Sequence, residues 1–458
     1  MTGPADVVRR TFAAFSIRNF RLYFAGQVIS VSGAWMQRVA QSWLVLEMTD
    51  SGAVVGALTA VQFVPILLLA PMGGLVADRL EKRKVLYVTQ SLAATTALTL
   101  GLLVLTDRVE LWMVFALALT LGLVGSVDNP TRNSFVMEMV GRSKLANAVA
   151  LNTVLVNSAR VIGPALGGLL IITVGIGWCF IINATSYLFF IAAISLMRRQ
   201  DIDRSEPETR QRGQLRQALA YVSGNPVLRS TLVMSAVIGL FAYEFEVVLP
   251  LFARFTFEGD ADLFGTMFAA MGIGAVIGGL VVANRGRTSP RAILAAATAM
   301  GACMGLTAMA PNVWVAHGAL LLVGISSSGF LTLSNSILQL ESSPQMRGRV
   351  VGMRATAILG ARPVGAPIVG WIGEHLGPRF ALGLGAAAAI AVALWARSRM
   401  LGGNTRDGSA HEMSTEGGEP RPADDDHDAL DEAGSGVVLF RGGPEDDEAD
   451  TGGHRGRS

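Results

Sequence analysis

The chain has 458 residues, of which 51% are hydrophobic and only 16% charged, and its mean hydropathy is +0.46. A soluble domain carries about 25% charged residues, so this composition excludes an ordinary soluble protein and predicts long apolar segments in a bilayer. The net charge of +2 indicates no nucleic-acid partner, and the two distant cysteines indicate neither a disulfide framework nor a metal cluster, so we expect no metal and no cofactor.

Apolar runs follow one another along the chain, most of them close to the length that crosses a bilayer as a helix. Twelve can be bracketed, near residues 22–46, 53–77, 85–105, 111–128, 146–174, 177–197, 228–252, 263–283, 291–310, 313–338, 350–373 and 379–397. Because only helices satisfy their own backbone hydrogen bonds in hydrocarbon, we expect an all-α membrane protein with twelve transmembrane helices.

A long polar stretch divides these runs into six and six. We therefore expect an N-terminal six-helix half with its cytoplasmic lead-in over 1–197, a cytoplasmic linker over 198–227 and a C-terminal six-helix half over 228–400. Residues 401–458 are acidic, rich in glycine and poor in large apolar residues, a composition that predicts a disordered cytoplasmic tail because it cannot bury enough surface to fold.

Basic residues are concentrated in alternate loops, and positive charge is retained on the cytoplasmic side. The loop after the second run carries Arg79, Lys82, Arg83 and Lys84, and the opposite loops carry only Arg108, Arg254 and Arg379. Both termini are therefore expected in the cytoplasm. Arginine far exceeds lysine, and alanine and glycine abound, which is typical of a GC-rich bacterial genome and indicates the bacterial cytoplasmic membrane.

Two pairs of similar segments lie about 200 residues apart. GGLVADRLEKRKVL (73–86) matches GGLVVANRGRTSPRAIL (278–294), and ARVIGPALGGLL (159–170) matches ARPVGAPIVGWI (361–372). Two parallel halves are one of the repeat architectures of secondary transporters, in which the substrate site lies between the halves near the bilayer midplane. The repeat therefore favours a transporter.

GGLVADRLEKRK resembles the signature of the loop between helices 2 and 3 in the major facilitator superfamily. Four further stretches resemble its enterobactin-exporter-like, drug-efflux branch: RNFRLYFAGQVISVSGAWMQRVAQSWLVLEMT, NPTRNSFVMEMVGRSKLANAVALN, ARVIGPALGG and MRGRVVGM. The resemblance covers about 19–397. It implies a monomeric transporter that exports an amphiphilic, drug- or siderophore-like small molecule by alternating access, with proton coupling.

Asp78 is the residue of the charged loop that cytoplasmic retention does not explain, because a carboxylate does not assist it. The resemblance implies that Asp78 bridges to the start of the eleventh run when the cytoplasmic side is closed, at a helix N-terminus that favours negative charge. The alternative is a weak pair with a neighbouring arginine in solvent. Glu81 departs from the family's usual glycine. The expected latch consists of Gly74, Asp78, Arg79, Arg83, Arg347 and Arg349.

Glu244 and Glu246 are the clearest ionisable residues within a run, where such residues mark a pathway. They are two residues apart, about 200° around a helix, so we expect them to face different sides. Glu244 is expected near mid-depth and is our first candidate for a proton carrier, and Glu246 is expected to reach toward the outer interface. The alternative for Glu244 is a carboxyl that stays protonated or pairs with a neighbouring helix.

Arg160 and Arg362 occupy matching places in the repeat, and neither can shed its charge. Each therefore needs a carboxylate, carbonyl or water partner, and for Arg160 we expect an acid across the cavity. Small residues and a proline follow Arg160 and favour close helix packing and a kink. This segment, which the resemblance connects with exporters, contains Gly163, Pro164, Gly167 and Gly168.

Further polar and aromatic residues are candidates for the substrate pathway. Gln37 and Gln41 form one polar stripe on the first helix, and Trp35 is a candidate for an aromatic cavity wall. Asn152 and Asn157 are candidates for the lumen or for contacts between helices. The alternative for each is packing against neighbours or lipid.

Asp128 and Arg132 are expected to order the cytoplasmic end of the fourth run. That run contains no arginine, although many proton-coupled members of the superfamily have one, so transport is better supported than proton antiport. No zinc-protease, nucleophile-elbow or phosphate-loop motif occurs, so we expect no enzyme. An importer or symporter of a small metabolite, or a membrane sensor acting through the tail, are the alternatives.

Overall fold

The computed structural model describes residues 12–202, 214–285 and 288–401, and the side chains of some helical residues, including Asp78 and Asn157, lie outside the described part. The described ranges contain helices and no β-strand. The helices are α1 (Arg18–Thr49), α2 (Gly52–Arg79), α3 (Lys82–Leu105), α4 (Leu111–Val174), α5 (Ile176–Ser195), α6 (Gln214–Gly224), α7 (Pro226–Phe241), α8 (Phe245–Leu251), α9 (Ala261–Arg285), α10 (Pro290–Ala308), α11 (Val313–Glu341), α12 (Arg347–Leu359), α13 (Arg362–His375) and α14 (Pro378–Leu401). Short 3₁₀ turns occupy Ala13–Ser16 and Arg199–Asp201, and a π-helical turn occupies Phe252–Thr256.

Eleven segments of the described helices are long and apolar enough to cross a membrane. α1 is 32 residues long but is not among them, because its polar residues, including Gln27, Gln37, Arg38 and Gln41, lower its mean hydropathy. The all-helical class is therefore confirmed for the described ranges. The twelfth span and the cytoplasmic termini stay predictions.

The fourth and fifth predicted runs lie in two helices that meet at a sharp kink at Gly141, and α4 denotes the two together. The φ angle of Gly141 is +67°, which glycine adopts without steric cost. The first span of α4 therefore extends over Leu111–Gly141. The expectation that Asp128 and Arg132 order a loop end is wrong, because both are buried within the helix, where Arg132 Nε donates to Asp128 Oδ2 at 2.6 Å.

The seventh and eleventh predicted runs are each interrupted near the middle. α7 ends at Phe241 and α8 begins at Phe245, while α12 ends at Leu359 and α13 begins at Arg362. The second residue of α13 is a proline, which lacks the N–H that a helix interior requires and is therefore suited to a helix start. The interruptions place Glu244 and Arg362 at the starts of two half-helices.

The two halves repeat the same packing pattern. In the first half α2 packs on α4, and in the second half α9 packs on α11. The first glycine of each repeated GGLV segment lies at these crossings, Gly73 against the carbonyl of Ser126 and Gly278 against that of Ile325. A side chain at either glycine would collide with the opposing backbone, so the repeated sequence encodes a repeated helix crossing.

The halves meet where α2 packs on α13 and α4 packs on α9. Gly52 lies against the backbone of Gly370, and Gly168 lies against that of Gly265, so closely that a Cβ atom at any of these positions would collide. We call the end of the bundle formed by these four glycines the closed end. Close contact at these positions requires glycine, because only glycine lets two backbones approach so far.

At the opposite end of the bundle, the start of α12 is not packed on the first half. No described atom lies within 4 Å of the position that a side chain would take at Gly348 or Gly352. Both halves belong to one compact unit. The predicted linker includes α6, and residues 203–213 and the predicted tail from 402 onward lie outside the described residues.

Candidate functional site

A buried ion cluster joins the two helix interruptions of the second half. Arg362 Nε lies 3.5 Å from Glu244 Oε1, and Arg362 Nη2 lies 3.2 Å from Glu246 Oε2. Arg362, Glu244 and Glu246 are 4%, 1% and 6% exposed, respectively. Because an isolated charge is very unfavourable in such surroundings, one guanidinium here compensates two carboxylates.

Both glutamates face Arg362, and the expectation that they point to different sides is wrong. Glu244 has φ −88° and ψ 38°, outside helical geometry, because it lies in the interruption before α8. The angle between residues of a regular helix therefore does not apply to this pair. Glu246 correspondingly reaches Arg362 inside the protein and does not reach toward the outer interface.

A cavity lies beside the ion cluster, between the two halves. Its empty space is about 750 Å³, a volume that includes space open to solvent. The first half contributes Trp35, Arg160 and Pro164 to its wall. The second half contributes Glu246 and Arg362 together with the aromatic and hydroxyl residues Tyr243, Phe245, Phe268, Ser327 and Ser328.

Aromatic rings of the first half contact the guanidinium groups. Arg362 lies 4.7 Å from the centroid of the Phe63 ring, which connects the ion cluster to the other half. Trp35 receives two arginines of its own half, Arg38 at 4.3 Å and Arg160 at 5.0 Å. Such cation–π contacts favour a charged guanidinium in a site with little water.

Two arginines beside the cavity pair with no carboxylate among the described residues. Arg160 Nε is buried without a hydrogen-bond partner, so the expected pairing with an acid is not observed. Arg354, which sequence reasoning missed, is buried and donates to the Ser334 hydroxyl at 3.1 Å and to Asn335 Oδ1 at 3.3 Å. Its position within the apolar run over 350–373 was the available signal.

Gln37 and Gln41 are buried, but neither is in the cavity wall. Gln37 Oε1 accepts a hydrogen bond from Asn183 Nδ2 at 2.5 Å, and Gln41 Nε2 donates to the Val114 carbonyl at 3.5 Å. These contacts join α1 to α5 and α4 inside the first half. These contacts agree with the alternative of packing against neighbours, and a pathway role for the two glutamines stays a prediction.

Neither candidate asparagine of α4 is among the described residues that line the cavity. Asn152 is half-buried, and its Oδ1 atom is buried without a hydrogen-bond partner. The side chain of Asn157 lies outside the described residues. A role for either in the pathway stays a prediction.

The glycine and proline segment of α4 packs as its composition indicates. The contacts are those of Gly163 with Trp35, of Gly167 with Met36 and of Gly168 with Gly265. α4 keeps helical angles through Pro164, and the kink lies at Gly141 instead. The segment therefore holds Trp35 at the cavity wall from one side and reaches the second half at the closed end.

The predicted latch lies only partly within the described side chains. The side chain of Asp78 is outside them, so its contact with α12 stays a prediction. Gly74 is buried in α2, and Arg79 and Arg347 are exposed. Arg349 donates to Gln217 of α6 at 3.4 Å.

Lys82 and Arg83, which the charge pattern placed in a solvated loop, are buried instead. Lys82 Nζ lies 2.5 Å from Glu138 Oε1 of α4. Arg83 Nη2 donates to the Ser195 carbonyl at 3.0 Å and thereby satisfies the end of α5. Two of the four basic residues of this loop therefore form buried contacts within the N-terminal half. Sequence reasoning missed these contacts.

Comparison with known proteins places the chain among membrane transporters. A family model described as transmembrane secretion effector matches residues 9–417. The multidrug efflux pump Tap of Mycolicibacterium fortuitum is 26% identical over 351 residues, which are 74% of this chain and 85% of that protein. The enterobactin exporter EntS of Shigella flexneri is 24% identical over 362 residues, 78% of this chain and 86% of that protein. The crystal structure of the POT family transporter PepTSo has the same fold, with a TM-score of 0.65 and 13% identity over 85% of this chain and 99% of that one.

Proposed function

The chain belongs to the transmembrane secretion effector family of the major facilitator superfamily, whose members compared above are transporters and not enzymes, and on that premise we propose that it exports an amphiphilic small molecule. The molecule is drug- or siderophore-like, as the relatives' names indicate for those proteins. Protons moving inward drive the export, and the protein acts as a monomer in the bacterial cytoplasmic membrane.

The observation that carries this proposal is the Arg362 cluster in the wall of a cavity between the halves. Arginine keeps its charge, so a proton that enters the cluster binds Glu244 or Glu246. Protonation removes one of the two ion pairs that hold α8 against α13. Because Glu246 and Arg362 also line the cavity, proton binding and substrate binding act on the same residues, which gives a direct route for coupling between them.

The contacts between the halves support alternating access. We assign the closed end to the outer face, in agreement with the positive-inside pattern, which also puts both termini of a twelve-helix bundle in the cytoplasm. The described state then opens to the cytoplasm. Export requires that the glycine contacts of the closed end separate while the other end closes, with the cavity in between.

Inside-out membrane vesicles that contain the full chain test this proposal. A proton gradient with an acidic interior should drive uptake of an amphiphilic dye, for which we would use fluorescein and the cationic ethyl ester of rhodamine B. Glu244→Gln and Glu246→Gln should each abolish the dependence of uptake on the gradient. Glu341→Gln, which removes an exposed carboxylate at the end of α11, is the matched control and should behave as the unmodified chain.

Two results would contradict the proposal. One is uptake of neither dye under any gradient. The other is gradient-driven uptake that is unchanged in both Glu244→Gln and Glu246→Gln, which would show that the ion cluster does not couple proton movement to transport. If the same gradient instead drives preloaded dye out of the vesicles, the result would support the alternative that the protein is an importer.

A further inference from the structure

The charges around the cavity do not balance. Arg160 and Arg362 lie in the cavity wall, and Arg38 and Arg354 lie behind it, against only two carboxylates, those of Glu244 and Glu246. Both carboxylates are already held by Arg362. With all six groups ionised, two positive charges have no counter-charge among the described residues.

Arg160 is the group through which this excess reaches the cavity. It lines the cavity wall, and its Nε atom is buried without a hydrogen-bond partner. The charged groups that act on it from other helices are Arg38, Arg354 and Arg362, all of them positive. Arg354 also has an unpartnered Nε atom, but its two terminal nitrogens donate to Ser334 and Asn335, and it does not belong to the cavity wall.

A guanidinium in this position favours one kind of ligand. Its planar array of N–H groups matches the paired oxygens of an oxyanion such as a carboxylate or a phosphate. An anion that pairs with Arg160 also offsets the repulsion from the neighbouring arginines. A cation would meet the same repulsion and would have to displace Arg362 from its glutamates.

The rest of the cavity wall selects an aromatic or otherwise apolar body for that anion. Trp35 lies beside Arg160, and Tyr243, Phe245 and Phe268 belong to the same wall. Stacking on such rings is favourable for a flat organic molecule. We propose that the cavity binds amphiphilic organic anions, with an acidic oxygen of the ligand on Arg160 and its apolar body among these aromatic residues. This assignment of a substrate class rests on the proposed transport function of the cavity.

Binding to the purified full chain in lipid nanodiscs tests the inference. Fluorescein and the ethyl ester of rhodamine B share a three-ring framework and carry opposite charges, so their comparison isolates charge. We expect saturable fluorescence polarisation with fluorescein and at least about tenfold weaker binding of the rhodamine ester. Arg160→Met should weaken fluorescein by at least about tenfold, and Arg160→Lys should retain part of the affinity, because it keeps the charge but not the planar fork.

Two further measurements keep the inference falsifiable if Arg160→Met fails to fold. On the unmodified chain, benzoate should displace fluorescein, and benzylammonium, similar in size and opposite in charge, should not. Arg397→Met, which removes an exposed arginine of α14, should leave fluorescein binding unchanged.

Equal affinity for the two dyes, preference for the cation, lack of saturable fluorescein binding, or displacement by benzylammonium would overturn the inference. These failures are distinct from failure of the transport proposal. Vesicles that transport the cationic dye, but not fluorescein, in a manner dependent on Glu244 would leave export in place and contradict the assignment to anions. Vesicles that transport neither dye would contradict export itself.

Discussion

Ser51 and Glu374 belong to opposite halves of the molecule and share a hydrogen bond of 2.6 Å between Ser51 Oγ and Glu374 Oε2. The same carboxylate oxygen accepts from the Ala53 amide at 2.9 Å. A residue of the second half thereby caps the first turn of α2, where the helix dipole favours a negative charge. This cap exists only while the closed end is closed.

Glu374→Gln should therefore favour opening of the closed end. Loss of a charged acceptor at an exposed site costs about 1 kcal/mol, which is about a fivefold change in population. Spin labels are attached at Arg108→Cys and Pro311→Cys in a chain whose Cys179 and Cys303 are replaced by alanine. Double electron–electron resonance then measures the distance between the two halves. An increased population of long distances is expected, and Glu341→Gln should not produce it. An unchanged distance distribution in Glu374→Gln would exclude the cap as a gate.

Gly168→Val should prevent the closed end from forming. The added side chain would collide with the backbone of Gly265, and backbone cannot move aside as a flexible side chain can. The same spin-label pair should then report mainly long distances, and dye export should be lost. Gly383→Val is the control, because no described atom lies within 4 Å of its added Cβ. Short distances in Gly168→Val would contradict the close backbone contact.

Arg362→Met should destabilise the protein by about 3–5 kcal/mol, because it leaves two buried carboxylates without a partner. Combining it with Glu244→Gln and Glu246→Gln removes the uncompensated charges and should restore most of the lost stability. Thermal unfolding of the purified variants in one detergent measures the difference. Equal melting temperatures for the single and the triple variant would show that the ion cluster does not stabilise the fold.

Lys82→Met should lower the melting temperature far more than Lys84→Met. The Lys82 side chain is 9% exposed and pairs with Glu138, so its removal leaves a buried carboxylate unpaired at a cost of about 3 kcal/mol or more. The Lys84 side chain is 74% exposed, and its pair with Glu81 contributes less than about 1 kcal/mol. The double variant Lys82→Met/Glu138→Gln should recover much of the loss. If both lysine variants melt together, the buried pair has no structural role.

The all-helical class and most of the apolar segments were predictable, because hydropathy and helix length are local properties of the sequence. The interruptions were not. The chain from Ala242 to Glu244 leaves the helix in a place where the lost backbone bonding is accompanied by ion pairs to Arg362, which is more than 100 residues away in sequence. No local pattern contains that partner, so a regular helix was expected and the two glutamates were assigned to different faces.

Polar residues within the apolar runs were identified correctly as unusual but not always placed correctly. The hydrogen-bond partner of Gln37 is Asn183, 146 residues away in the sequence. A polar side chain within a membrane can be satisfied by such a partner on another helix as well as by water in a lumen. Lys82 was read from its charge as an anchor on one side of the membrane. The number of basic residues in a loop indicates the side of the membrane on which the loop lies, but not whether a given side chain is buried. The partner of Lys82, Glu138, lies on a different helix.

The glycine contacts of the closed end have a consequence for electrical insulation. A transporter driven by a proton gradient, as we propose for this chain, must not conduct ions while no substrate is bound. Side chains change rotamer within picoseconds to nanoseconds, whereas packed helices separate only through collective motions of microseconds to milliseconds. Where Gly52 meets Gly370 and Gly168 meets Gly265, the barrier consists of main chain against main chain. The glycines at these two contacts therefore limit the rate at which ions leak across the protein.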